Sequence, residues 1–141
     1  MTAIGELYRD VILDHYRHPR NFRALENARR AEGHNPLCGD RFTVFVRLTG
    51  NIVEDVSFQG SGCAIATASA SLMTERLHRC TVSAADGIRG RLEQMISGRA
   101  DTSVEDLGDL SALCGVRPFP VRHQCAMLPW RAFAAAIAAP F

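Results

Sequence analysis

The sequence predicts an α+β fold, a small antiparallel β-sheet packed against several helices, and three observations carry that prediction. Apolar and polar residues alternate from Phe42 to Thr49 and again from Ile52 to Gln59, across Gly50-Asn51, as two strands about a tight turn require. Stretches with apolar residues at helical spacing, or made mostly of small helix-competent residues, lie on both sides of that hairpin. No repeat, low-complexity linker or break in composition divides the 141 residues. Residues 1–141 therefore read as a single domain, within the roughly 100–200 residues usual for one.

The elements follow in order. Leu7, Tyr8, Val11, Ile12 and His15 mark an opening helix over about Ile4 to Tyr16. Pro19 ends it, because the residue before a proline is pushed out of helical geometry. Residues 20–39 read as an extended or looping connection, punctuated by Gly33, Asn35, Pro36 and Gly39. The hairpin follows and closes at Gly60-Ser61-Gly62. A helix of small residues is expected from Ile65 to Leu77, and another from Ser83 to Ile96 with Gly98 as its stop. The acidic run Asp101, Glu105, Asp106 and Asp109 reads as a solvated loop entering a short helix near Leu110. A last helix is expected to begin between Cys125 and Pro129, proline being acceptable in a first turn, and to run to about Ala139.

Composition excludes several function classes. The net charge is +1 and the pI about 7.7, unlike the basic balance of a nucleic-acid binder. The longest apolar run, Ala132 to Ala139, is far too short for a membrane span, which needs roughly 18 residues. Glu6 and Asp10 interrupt the place a secretory signal would occupy, so a cytoplasmic protein is expected. All sixteen basic residues are arginine. Without lysine there is no Schiff-base chemistry, no pyridoxal-phosphate anchor and no P-loop.

The cysteines are Cys38, Cys63, Cys80, Cys114 and Cys125, and no two make a Cys-x-x-Cys pair. An odd count with no export signal speaks against a disulfide framework and leaves packing, metal binding or thiol chemistry. Three of them have distinctive surroundings. Cys38 lies in a polar turn, Asn35-Pro36-Leu37-Cys38-Gly39-Asp40. Cys63 follows Gly60-Ser61-Gly62 at an expected helix start, and Cys125 precedes the last expected helix. A helix N-terminus stabilises thiolate, the form that binds metal and attacks sulfur. With Asp40 these three make a tetrahedral donor set suited to zinc. They are 25 and 62 positions apart, so only the fold could bring them together. Cys80 and Cys114 match no ligand position and read as packing.

Four segments carry a resemblance over nearly the whole chain. Tyr8 to Tyr16 with His18-Pro19-Arg20-Asn21 resembles the N-terminal signature of the U-type iron–sulfur cluster assembly proteins, the IscU/NifU N-terminal-like family. Asn35 to Asp40, Gly62 to Ile65 with Ala68-Ser69-Ala70-Ser71, and Cys125 to Trp130 resemble its three cysteine motifs in order. The long interval between Cys63 and Cys125 is similar to the SufU branch. The IscU scaffold has a histidine just before its last cysteine, where this chain has Gln124, with His123 one residue further back.

The resemblance implies a SufU/IscU-like fold and a zinc-dependent sulfur-transfer protein, a carrier of sulfur rather than an enzyme acting on small molecules. It implies zinc held by Cys38, Asp40, Cys63 and Cys125. It further implies persulfide taken from a SufS-type cysteine desulfurase and passed to the SufBCD complex, with no nucleic-acid or membrane partner. Cys38 is the candidate acceptor, since a turn moves more readily than two helix starts. A ligand from the desulfurase, such as histidine, would replace it on the metal and free its thiolate. An IscU-like scaffold building a [2Fe–2S] cluster on the same residues is the alternative, and a purely structural zinc domain a third. His15 and His18 read as surface or capping residues and His123 as structural or partner-facing. Arg122 reads either as a support for thiolate or persulfide or as a solvated arginine, and Trp130 and Phe133 as core.

Overall fold

The computed structural model describes residues 3–98 and 105–139. Helix α1 (Ala3–Arg17) is followed by strands β1 (Arg29–Asn35), β2 (Asp40–Thr49) and β3 (Ile52–Ser61). Then come α2 (Ala64–Leu77), α3 (Val82–Ile96), a 3₁₀ segment (Glu105–Val116) and α4 (Pro120–Ala138). The strands form one antiparallel sheet in the order β1-β2-β3. The expected α+β architecture is what is found, with the β2–β3 turn at Gly50-Asn51.

Alternation along β2 puts Phe42, Val44 and Val46 in the core, and the register sets Val44 opposite Phe58 and Val46 opposite Val56. Helix α4 packs on β1 and β2, α2 on β3 and α4, and α1 on α2 and the 3₁₀ segment. Trp130 is fully buried among them. Its indole N–H donates to Ser69 Oγ at 3.0 Å, and that hydroxyl donates to the Ala126 carbonyl at 2.6 Å, so the ring's polar edge is satisfied inside the core. Phe133 and Cys114 are buried as well, while Cys80 is half-buried with its sulfur on the Arg76 carbonyl.

Three expectations are corrected. Residues 29–35 form a strand where a connection was expected. Its outward residues Arg30, Glu32 and His34 alternate with Ala31, Gly33 and Asn35, so the inward face carries no large apolar side chain to reveal the period. Leu128 of α4 fills that space, a Cβ on Gly33 falling 3.1 Å from it. Helix α4 starts at Pro120, not near Cys125. Proline suits a first turn because its φ is preset and no N–H is needed there. Pro129 is then inside the helix and cannot donate to the carbonyl of Cys125, four residues back. Residues 105–109 already belong to the 3₁₀ segment, kinked at Gly108 with Leu107 and Leu110 buried; residues 101–104 of the expected loop lie outside the described residues, as do the side chains of Ile4 and Leu7.

His15 is neither surface residue nor ligand. It is 3% exposed between α1 and α2, its Nδ1 2.7 Å from Ser71 Oγ, while the Arg20 N–H donates to the same hydroxyl at 2.9 Å. Asn21 Nδ2 donates to Thr74 Oγ1 at 3.0 Å. The N-terminal signature and the Ser-rich part of α2 thus hold each other in place. Burial above all, then the charge of Arg20, holds the His15 imidazole below its usual pKa, against the pull of Glu75, Asp14 and Asp109. The unfolded chain therefore takes this proton first on acidification, and stability that is whole above about pH 6.5 declines below it. Denaturant midpoints are expected to drop between pH 7.5 and 5.5, and His15→Gln to remove much of that drop. Equal pH sensitivity in the two proteins would contradict this.

Candidate metal centre

The four sequence-predicted residues come from three elements that meet at one end of the sheet. The turn between β1 and β2 supplies Cys38. Asn35 and Asp40 are register partners at its two ends, the Cys38 N–H donates to the Asn35 carbonyl, and the Leu37 N–H donates to Asn35 Oδ1. Gly39 closes the turn at φ 68°, left-handed geometry that glycine adopts without strain. Asp40 opens β2 and is fully buried.

Cys63 is the N-cap of α2, its sulfur accepting from the Ala66 N–H at 3.4 Å. Asp40 Oδ1 accepts the Cys63 N–H at 2.8 Å, and Asp40 Oδ2 lies 3.9 Å from the Cys63 sulfur. One carboxylate thus ties the start of β2 to the start of α2. Gly62 makes this possible, because a methyl group there would fall 2.6 Å from Asp40 Oδ1 and 2.9 Å from the Phe42 ring.

Cys125 lies within α4 rather than at a helix start and is fully buried. Its sulfur is 3.2 Å from that of Cys38, and Asn35 Nδ2 reaches it at 3.8 Å. Ligand atoms of Cys38, Asp40 and Cys125 all lie within 4.8 Å of one another. Cys63 lies outside that group and borders it through Asp40, its sulfur 3.9 Å from Oδ2. All five cysteines are free thiols, and Cys80 and Cys114 stand apart from the cluster.

Electrostatics says what such a cluster lacks. Burial, then hydrogen bonding to Cys38 and Asp40, then Cys63, pushes the Cys125 thiol far up. Two sulfurs and a carboxylate within 4.8 Å, with the Cys63 sulfur beside that carboxylate, cannot all be anionic without a cation among them. A divalent ion supplies that charge, and soft thiolates with one carboxylate are a donor set that zinc accepts. The residues present therefore fit a zinc ion.

Among the described residues, no histidine belongs to the group. His123 Nε2 pairs with the Arg117 carbonyl at 3.1 Å, and Gln124 Oε1 accepts from Arg131. The long interval between Cys63 and Cys125 holds α2, α3 and the 3₁₀ segment. Sequence reasoning passed over Gly62 as a residue of the site and had Asn35 only inside a motif. Packing, not residue type, makes both matter.

Cysteines and an aspartate gathered at one end of a three-stranded sheet make this a small α+β protein with a candidate thiolate–carboxylate metal centre. The family model for the NifU-like N terminal domain matches residues 7–139, and the chain belongs to that family. It is 42% identical over 135 residues to the zinc-dependent sulfurtransferase SufU of Bacillus subtilis (strain 168), covering 96% of this chain and 92% of the relative. It is 31% identical over 137 residues to the iron–sulfur cluster assembly scaffold protein IscU of Streptococcus pyogenes serotype M1, covering 97% of this chain and 86% of that one. Among solved structures, the iron–sulfur cluster assembly scaffold protein for the SUF system from Fervidobacterium islandicum AW-1 superposes with a TM-score of 0.87 at 31% identity, over 94% of this chain and 97% of that chain. Among the described residues, no helix is long and apolar enough to cross a membrane.

Proposed function

We propose that this chain is a zinc-dependent sulfur acceptor of iron–sulfur cluster assembly, with Cys38, Asp40, Cys63 and Cys125 as the metal ligands and Cys38 as the acceptor. It receives persulfide sulfur from a SufS-type cysteine desulfurase and passes it to the SufBCD complex. The observation that carries this reading is the convergence of Cys38, Asp40 and Cys125 within 4.8 Å, with the Cys63 backbone N–H donating to the same carboxylate. The SufU relative, named for zinc-dependent sulfur transfer, supports it further.

A bound zinc ion keeps thiolates deprotonated near neutral pH without taking part in redox chemistry. The chain's own residues do the rest. Cys125 is fixed inside a helix and Cys63 is held by the Ala66 N–H, whereas Cys38 sits half-buried on a glycine turn beside Leu37, which is 82% exposed. Cys38 is thus the sulfur with most freedom to reach a partner. Its thiolate attacks the outer sulfur of the donor persulfide. The donor's S–S bond breaks, a new S–S bond forms on Cys38, and the electron pair leaves on the donor's cysteine thiolate. No net oxidation occurs.

Gln124 before Cys125, and the pairing of His123 with the Arg117 carbonyl, favour this reading over a [2Fe–2S] scaffold, which in the resembling IscU proteins has a histidine beside the last cysteine. The test is metal analysis of the purified protein together with mass spectrometry after incubation with a cysteine desulfurase and cysteine. Stoichiometric zinc and one added sulfur on Cys38 are expected. A coloured protein with sulfur-to-iron absorption and no zinc after anaerobic purification would overturn the reading in favour of the scaffold.

A further inference from the structure

Beyond its contacts with the other cluster residues, Cys63 also lines a cavity of about 680 Å3 between α1 and the first turn of α4. Ile12, Leu13 and Phe119 make its apolar wall, and Arg9 and Arg122 line it as well, Arg122 from the helix that carries Cys125. Arg122 lies three residues before Cys125 on α4, so the two share a helix face. Cys63 above all favours its charge, burial opposes it, and Cys125 and Cys38 add to the pull of Cys63. Across the cavity, burial holds the Tyr8 phenol in its neutral form, against the opposing pull of Arg122.

This placement addresses an electrostatic difficulty. Three thiolates and a carboxylate carry four negative charges, and a divalent ion leaves two. A persulfide anion approaching such a centre is repelled. A cation on an apolar wall beside the sulfurs offsets that repulsion, since a low-dielectric cleft focuses its field.

We propose that an anionic sulfur terminus presented by the donor is drawn to the Cys63 side of the centre through this cavity, which Cys38 does not line, and that Arg122 is the residue that positions it there for exchange with Cys38. The inference rests on the sulfur-acceptor reading above. Arg122 forms and breaks no covalent bond; the exchange is the one already written.

The test separates the two ideas. The reduced whole chain, as purified, is alkylated with iodoacetate or with iodoacetamide, and each cysteine is followed by peptide mapping. Both reagents attack the same thiolate, so their rate ratio cancels thiolate fraction and reports the charge that an incoming anion meets. Arg122→Gln is expected to lower the iodoacetate-to-iodoacetamide ratio at Cys63 about three- to tenfold, as loss of one nearby charge in a partly hydrated cleft implies. Arg122→Lys is expected to keep most of it, and Cys80 serves as reference with an unchanged ratio. An unchanged ratio at Cys63 in Arg122→Gln, or an equal fall at Cys80, overturns the proposal. Sulfur uptake by the unaltered protein is measured in parallel, and its absence would overturn the acceptor reading without touching the alkylation result.

Discussion

Cys38→Ser is expected to abolish sulfur acceptance, by more than about 100-fold, while leaving the fold in place. Serine is nearly isosteric and sits on the same turn, whose backbone bonds run through Asn35 and do not use the thiol. What disappears is the nucleophile: a hydroxyl near neutral pH is almost wholly protonated, and sulfur exchange proceeds through thiolate. The measurement is mass spectrometry for persulfide on the intact chain after incubation with desulfurase and cysteine. Cys80→Ser is the control, and full uptake is expected, because that half-buried sulfur stands apart from the cluster, on the Arg76 carbonyl. Sulfur appearing on the Cys38→Ser protein at the unaltered rate would remove Cys38 from the acceptor role.

The second large effect concerns Asp40, which serves both fold and metal. Asp40→Ala deletes the acceptor for the Cys63 N–H and opens a hole beside Phe42, so a stability loss of about 1–3 kcal/mol is expected from the unpaired buried group alone. It also deletes a ligand. Metal affinity should fall by more than about 100-fold, since even partners outside the ligand shell are worth about 10–100-fold. Asp40→Asn separates the two roles. It keeps an oxygen to accept the Cys63 N–H but loses the negative charge, so stability of the metal-free protein should be nearly retained while zinc affinity falls. Zinc competition with a chromophoric chelator and urea denaturation of the metal-free protein check both halves. Equal losses of stability in the two variants would contradict the assigned hydrogen bond.

How far these features could be read in advance depended on whether the signal was local. The β2–β3 hairpin was legible because Phe42, Val44 and Val46 alternate in a sheet buried on that face. The strand Arg29–Asn35 was not, because its inward positions are Ala31, Gly33 and Asn35, small residues chosen by the approach of Leu128 from 95 positions away. The start of α4 was misplaced because Pro129 was taken as a first-turn proline, when Pro120 already fills that role. For the site, flanking residues set Cys38, Cys63 and Cys125 apart from Cys80 and Cys114, and the structure brings Cys38 and Cys125 together with Asp40. Their convergence is tertiary, and so are the contacts that shape it. Gly62 matters because the Asp40 carboxylate lies against it, and His15 is buried because Ser71 reaches it from α2.

The central claim is that Cys38, Asp40, Cys63 and Cys125 hold one metal ion together, and zinc-edge X-ray absorption on the purified protein tests it most directly. Three sulfur scatterers at about 2.3 Å and one oxygen at about 2.0–2.2 Å are expected, with one sulfur lost in Cys63→Ser. A shell of two sulfurs or fewer, or one containing histidine nitrogen, would contradict it.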